Sequence, residues 1–64
     1  MGKVFLALDQ KTGKEVAVKI VKDQKQWDRE RVMLQKLKHT KGVPELFFAG
    51  KEKELFLVME YILG

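Results

Sequence analysis

Between Lys14 and Lys38 the hydrophobic period changes once, from two to about 3.6, and the change falls at Asp23. Residues 14–22 alternate as a strand does. Val16, Val18 and Ile20 point to one face, and Ala17, Lys19 and Val21 to the other. Asp23 is a good helix N-cap, and Gln26 three residues on completes a capping-box pattern. The helix is predicted to run to about Lys38, with Lys36 and Lys38 in a last turn that favours cations. Thr40-Lys41-Gly42 is expected to end it, and Pro44 keeps helix from resuming. A helix that starts where a strand stops can cover that strand's sheet only by folding back over it.

The flanking segments supply the rest of the sheet. Residues 3–9 read as a strand that is apolar on both faces, and 9–14, with Gly13, as a hairpin loop. Residues 46–50 read as a short strand, 50–54 as a charged turn, and 55–62 as the most apolar strand of the chain. The order is β-β-α-β-β, an α+β class with one helix on an antiparallel sheet of four strands. Size makes this fold demanding. A chain of 64 residues buries only about 60% of its unfolded surface. There is no Cys and a single His, His39, so neither disulfides nor a Cys/His metal site can support it. A hydrophobic fraction of 45% nonetheless argues against disorder.

One helix residue breaks the apolar pattern. With Trp27 set at zero on a helical wheel, Leu34 falls at about 340°, Glu30 at about 300°, Leu37 at about 280° and Met33 at about 240°. Glu30 lies inside this stripe, where a carboxylate needs a partner. Lys19, between Ala17 and Val21 on a strand face, can be that partner. Lys19 to the strand end is about 10 Å, and Asp23 to Glu30 is also about 10 Å, so a folded-back helix brings the two to one level. Such a pair can stitch helix to sheet or can position a lysine for chemistry; these two residues alone leave both open.

Four stretches in order resemble the small lobe of protein kinases. Val16-Ala17-Val18-Lys19 is similar to the family's Val-Ala-Ile-Lys strand. Glu30, with Val32 to His39 behind it, is similar to the following helix, whose Glu pairs with that Lys. Leu57-Val58-Met59-Glu60-Tyr61-Ile62-Leu63-Gly64 resembles the fifth strand and hinge. Gly2-Lys3-Val4-Phe5-Leu6-Ala7 resembles the end of the glycine-rich loop and its exit strand. The resemblance spans the whole chain. It implies ATP as ligand and Lys19 on its α- and β-phosphates, paired to Glu30. It also implies Gly2 as the last glycine of the phosphate loop, Val4 and Ala17 over the adenine, and Val43 or Pro44 at the rear of the pocket. Met59 would be the gatekeeper. The C=O of Glu60 and the N–H and C=O of Ile62 would meet the adenine edge. Leu34 and Leu46 would join the packed column behind the site, and His39 would pack or cap at the helix end.

The same resemblance implies a partial lobe, residues 1–64, ending at the hinge, with Met1 an internal residue of the phosphate loop. The first strand, most of the Gly-rich loop, the catalytic base and the Mg²⁺ ligands of the family have no counterpart here. The chain alone is therefore expected not to catalyse. Its expected partners are ATP and either the kinase large lobe or, if it is a non-catalytic docking module, another protein. The net charge of +4 comes from 13 basic residues, 11 of them Lys, scattered among 9 acids. That reads as a solvated surface, not a nucleic-acid stripe. No stretch is long and apolar enough for a membrane span, and no export signal is legible, so a cytoplasmic setting is expected.

Overall fold

The computed structural model describes residues 3–62. Strands β1 (Lys3–Leu8) and β2 (Glu15–Val21) form a hairpin. Helix α1 (Gln24–Lys36) follows, and then a second hairpin of β3 (Leu46–Lys51) and β4 (Leu55–Glu60). All pairings are antiparallel, so the class is α+β as expected. In space, however, the strands do not follow chain order: the sheet runs β1-β2-β4-β3. β4 lies between β2 and β3, and α1 connects two strands that do not touch. The placement follows from burial. β4 is the most apolar strand, and a central strand has both of its edges paired and lies under the helix. Leu57, at its middle, has no exposed surface at all.

Turn chemistry sets the β1–β2 hairpin. Asp9 accepts the Lys11 N–H through Oδ1 at 3.0 Å, and its carbonyl accepts from Gly13 N–H at 2.7 Å. Gly13 takes φ 73°, the left-handed conformation for which glycine suits this position. β3 reaches one residue further than expected, to Lys51, and leaves Glu52-Lys53-Glu54 as the turn. Gly50 is therefore in the strand and not in the turn. The Phe56 ring of β4 lies directly over it, 2.3 Å from where a Cβ would stand, and tilts against Phe48 with centroids 5.8 Å apart.

Asp23 is the N-cap of α1 as expected, but the capping box and the helix's C-terminal end differ from expectation. Asp23 caps it by accepting from Lys25 N–H at 3.2 Å, but Gln26 does not close a capping box. Its amide turns instead toward Glu30 Oε1, at 3.4 Å. The helix stops at Lys36, with Leu37 as C-cap, because His39 adopts φ 68°. His39 is exposed, so of the two roles expected of it, packing or capping, the structure shows the one at the helix end, made by its backbone. Its backbone turns the chain, aided by Thr40 N–H to Leu37 C=O at 2.9 Å, before Gly42 at φ 86° turns it again. The stripe is also narrower than the wheel implied. Trp27 and Leu34 are buried with Val21 and Leu57, while Met33 and Leu37 face solvent.

Two substitutions should move stability in opposite directions, measured by urea denaturation. Gly50→Ala must displace the Phe56 ring and should cost about 1–3 kcal/mol. His39→Gly relieves a left-handed non-glycine residue at the helix end and should gain about 0.5–1 kcal/mol.

Candidate functional site

Strand register builds the site. Because directly opposed residues share a face, Leu6, Ala17, Met59 and Leu46 form one row across the sheet, and Val4, Lys19, Leu57 and Ala49 form the next. Both rows lie on the side covered by α1, where Val21, Leu57, Trp27 and Leu34 make the core. Lys19 thus emerges between Val4 and Leu57, with Ala17 two residues back along its own strand. An ammonium among such neighbours needs a counter-charge within reach.

Helix α1 supplies it. Lys19 Nζ donates to Glu30 Oε1 at 2.7 Å, with the two side chains 27% and 20% exposed. The position of Glu30 follows from its neighbours. It lies three residues after Trp27 and four before Leu34, the two helix residues that are buried against the sheet. The indole of Trp27 fixes the roll of the helix, since its Nε1–H donates to the Phe56 carbonyl at 3.1 Å. Arg31 and Lys51 place their cations 5.2 and 5.0 Å from the indole ring. Any rotation of α1 that broke the indole bond would also swing Glu30 away from Lys19.

The structure brings together most of the residues expected at this site. Val4, Ala17, Lys19 and Met59 share one face, and Glu30 reaches over it. Ala17 is buried, Met59 half-buried, and Val4, on the edge strand, is 61% exposed. Val43 packs against the core cluster beside Leu46, and Pro44 is half-buried. Leu34 is in the core itself. Glu60 closes β4: its N–H donates to the Glu45 carbonyl at 2.8 Å, so this backbone edge turns toward the start of β3. Tyr61 and Ile62 fall outside the strand, which ends two residues short of the expected Ile62, and Ile62 is exposed. Gly2 lies outside the described residues.

Three features had no clear signal in the sequence. The wheel gave Trp27 as apolar but not its bond to Phe56. Gly50 was read as the junction of strand and turn, with nothing to say that its smallness serves a ring. The offset between Leu46 and Phe48, an irregularity in β3, was not marked by any Gly or Pro within that pair. Among the described residues no three His, Asp or Glu side chains come together to hold a metal, and no helix is long and apolar enough to cross a membrane. No protein-family model matches the chain, and no curated protein matches it either.

The contact between Lys19 and Glu30 should be energetically coupled. In a double-mutant cycle of Lys19→Met and Glu30→Gln, read by chemical denaturation, the coupling should be about 1 kcal/mol. Additive effects would mean that the two groups do not hold one another in solution.

Proposed function

We propose that this chain is the ATP-binding small lobe of a protein kinase of the Ser/Thr type, whose complete form moves the γ-phosphoryl of Mg·ATP to a protein hydroxyl. The observation that carries the reading is the 2.7 Å contact of Lys19 Nζ with Glu30 Oε1, on the sheet face that also presents Val4, Ala17 and Met59. The donor set suits a nucleotide. The apolar side chains of Val4, Ala17 and Met59 offer a wall for a flat base, and Lys19 offers a cation for phosphate oxygens. Glu30 sets the reach of that cation. Held at one oxygen, the ammonium keeps two protons for a ligand and gives up the freedom of a long side chain before the ligand arrives. ATP supplies the phosphoryl group. On this reading Mg²⁺ would be held by the Asp and Asn of the complete kinase, whose motifs have no counterpart in this sequence.

A second reading, a docking module without nucleotide, is favoured by a different surface. Asp28, Arg29, Val32, Met33, Lys36 and Leu37 line an open groove on the outward side of α1, away from the core. Val32, Met33 and Leu37 are all exposed there.

A phosphotransfer assay separates the two. On the kinase reading, adding a kinase large lobe to the chain should yield ATP-dependent phosphorylation of a protein substrate. Lys19→Met should lower it at least a hundredfold while the far-ultraviolet circular dichroism stays unchanged. No activity with the wild-type chain, together with no shift of Val4, Ala17 or Lys19 resonances on ATP titration, would sink the reading. Partner binding that is lost in Met33→Asp and indifferent to Lys19→Met and to ATP would support the docking module.

A further inference from the structure

We infer that Gln26 is a positioning residue for Glu30: its amide steers the carboxylate that in turn holds Lys19. The contact belongs to the fold, and its use toward a nucleotide rests on the kinase reading above.

Residues three and four apart on a helix share a face, and for Glu30 these neighbours are Gln26, Trp27, Met33 and Leu34. Met33 and Leu34 have no polar hydrogen to give. Trp27 already directs its N–H to the Phe56 carbonyl at 3.1 Å. Gln26 is thus the one side-chain donor of the four that is free for the carboxylate, and its Nε2 lies 3.4 Å from Glu30 Oε1. The same oxygen accepts from Lys19 Nζ at 2.7 Å. Donors from the helix and from the sheet therefore converge on one atom.

Gln26 is half-buried, while Gln24 and Lys25 beside it are exposed. As the third residue of α1 it stands where a glutamine can turn back to the N-cap and close a capping box. It turns forward to Glu30 instead. A local preference set aside for a contact at the candidate site is the pattern that functional residues show.

The neutrality of this donor matters. A Lys or Arg at position 26 would neutralise Glu30 from within the helix and leave Lys19 without its counter-charge. The cations of α1 lie elsewhere. With Trp27 at zero on the wheel, Lys25, Arg29 and Lys36 fall at about 160°, 200° and 180°, against about 300° for Glu30. Arg31 is drawn to the Trp27 ring and to Asp28. An amide restrains the Glu30 side chain and leaves its full charge to the ammonium. At 3.4 Å the amide contact is the longer and weaker of the two, so Gln26 steers and Lys19 binds. When phosphate oxygens draw on the ammonium, a carboxylate held by Lys19 alone is free to swing away. With Gln26 behind it, Glu30 stays within reach of the lysine.

A triple-mutant cycle in the 64-residue chain, read by urea denaturation, tests the role. With Gln26 present, the coupling of Lys19→Met with Glu30→Gln should be about fivefold in the folding constant. In Gln26→Met, which keeps length and helix propensity but has no N–H, it should fall to about twofold or less. Gln26→Glu discriminates further. A Glu there suits the start of a helix at least as well as Gln does. It has no proton to donate, however, and sets a like charge four residues from Glu30, so the coupling should fall again. A residue that served only the helix would leave the coupling at its wild-type value in both variants, and that result overturns the inference. Side-chain amide NMR reads the same contact directly. Glu30→Gln should move the Gln26 amide signals and leave those of Gln10, Gln24 and Gln35 in place. A Gln26 signal that moves no more than the other three also overturns it. With a kinase large lobe and ATP added, Gln26→Met should raise the KM for ATP about threefold at nearly constant kcat. An unchanged KM overturns the use of the contact toward nucleotide. A wild type without phosphotransfer sinks the kinase reading alone, and the coupling cycle still decides the role of Gln26.

Discussion

The indole of Trp27 determines where everything else on α1 goes. Its ring is buried in the core with Val21, Leu34 and Leu57, and its N–H is bound to the Phe56 carbonyl on the central strand. A buried indole needs an acceptor, and a strand carbonyl has a fixed place, so the bond sets both depth and roll of the helix. A helix resting on Leu side chains alone could roll by tens of degrees at little cost. This one cannot without leaving an unpaired N–H inside. Glu30 then projects toward the sheet because it lies between the two helix residues that touch it. The ion pair with Lys19 is a consequence of that anchoring more than its cause. A partly buried pair of this kind returns little net stability, because desolvation offsets its attraction.

The fold was legible in the sequence wherever local chemistry decided it. The alternation from Val16 to Val21, the Asp23 cap and the Asp9–Gly13 turn each depend on neighbours a few residues away, and each formed as read. The contact of Lys19 with Glu30 was legible too, because two opposite charges at core positions on consecutive elements have few other ways to be satisfied. What the wheel could not supply was the centre of the buried sector. The stripe ran from Trp27 round to Met33, yet the structure buries Trp27 and Leu34 and covers the next position with Arg31, at about 40°. The helix is rolled by about 60° from the stripe's middle. The indole bond and the stacked Arg31 outweigh two flexible apolar side chains, and neither term is visible in hydrophobicity. Strand order was similarly hidden. Nothing local says that β4 inserts between β2 and β3; only the competition of strands for the most buried place does.

The roll has a consequence for the surface. Met33, Leu37 and Val32 are left outside, Phe5 and Phe48 stand on the sheet face that no helix covers, and β1 is exposed on both faces. Among the described residues six apolar residues are buried, and more large apolar side chains than that stand in the open. Scattered exposed hydrophobics are ordinary, but these fall into separate contiguous groups, the kind of patch that marks interaction surfaces.

These groups are geometrically distinct, which decides whether they can be used together. The row of Val4, Lys19 and Leu57 is reached from the helix side of the sheet, and the groove beside Met33 from the outer side of α1. The edge of β1 is reached in the plane of the sheet, through backbone groups that point away from both. A strand added there would extend the rows Leu6–Ala17–Met59 and Val4–Lys19–Leu57 by one position without crossing them. On the proposed nucleotide reading it would also remove a weakness of Val4, which stands on a strand held from one side only. Edge strands open more readily than central ones, and a ligand wall on such a strand is only as fixed as its pairing. Covering the edge and ordering the Lys19 face are then one physical event. Any strand that occupies the β1 edge should tighten the position of Val4 opposite Lys19 while leaving Glu30, anchored through Trp27 on the far side of the sheet's centre, where it already is.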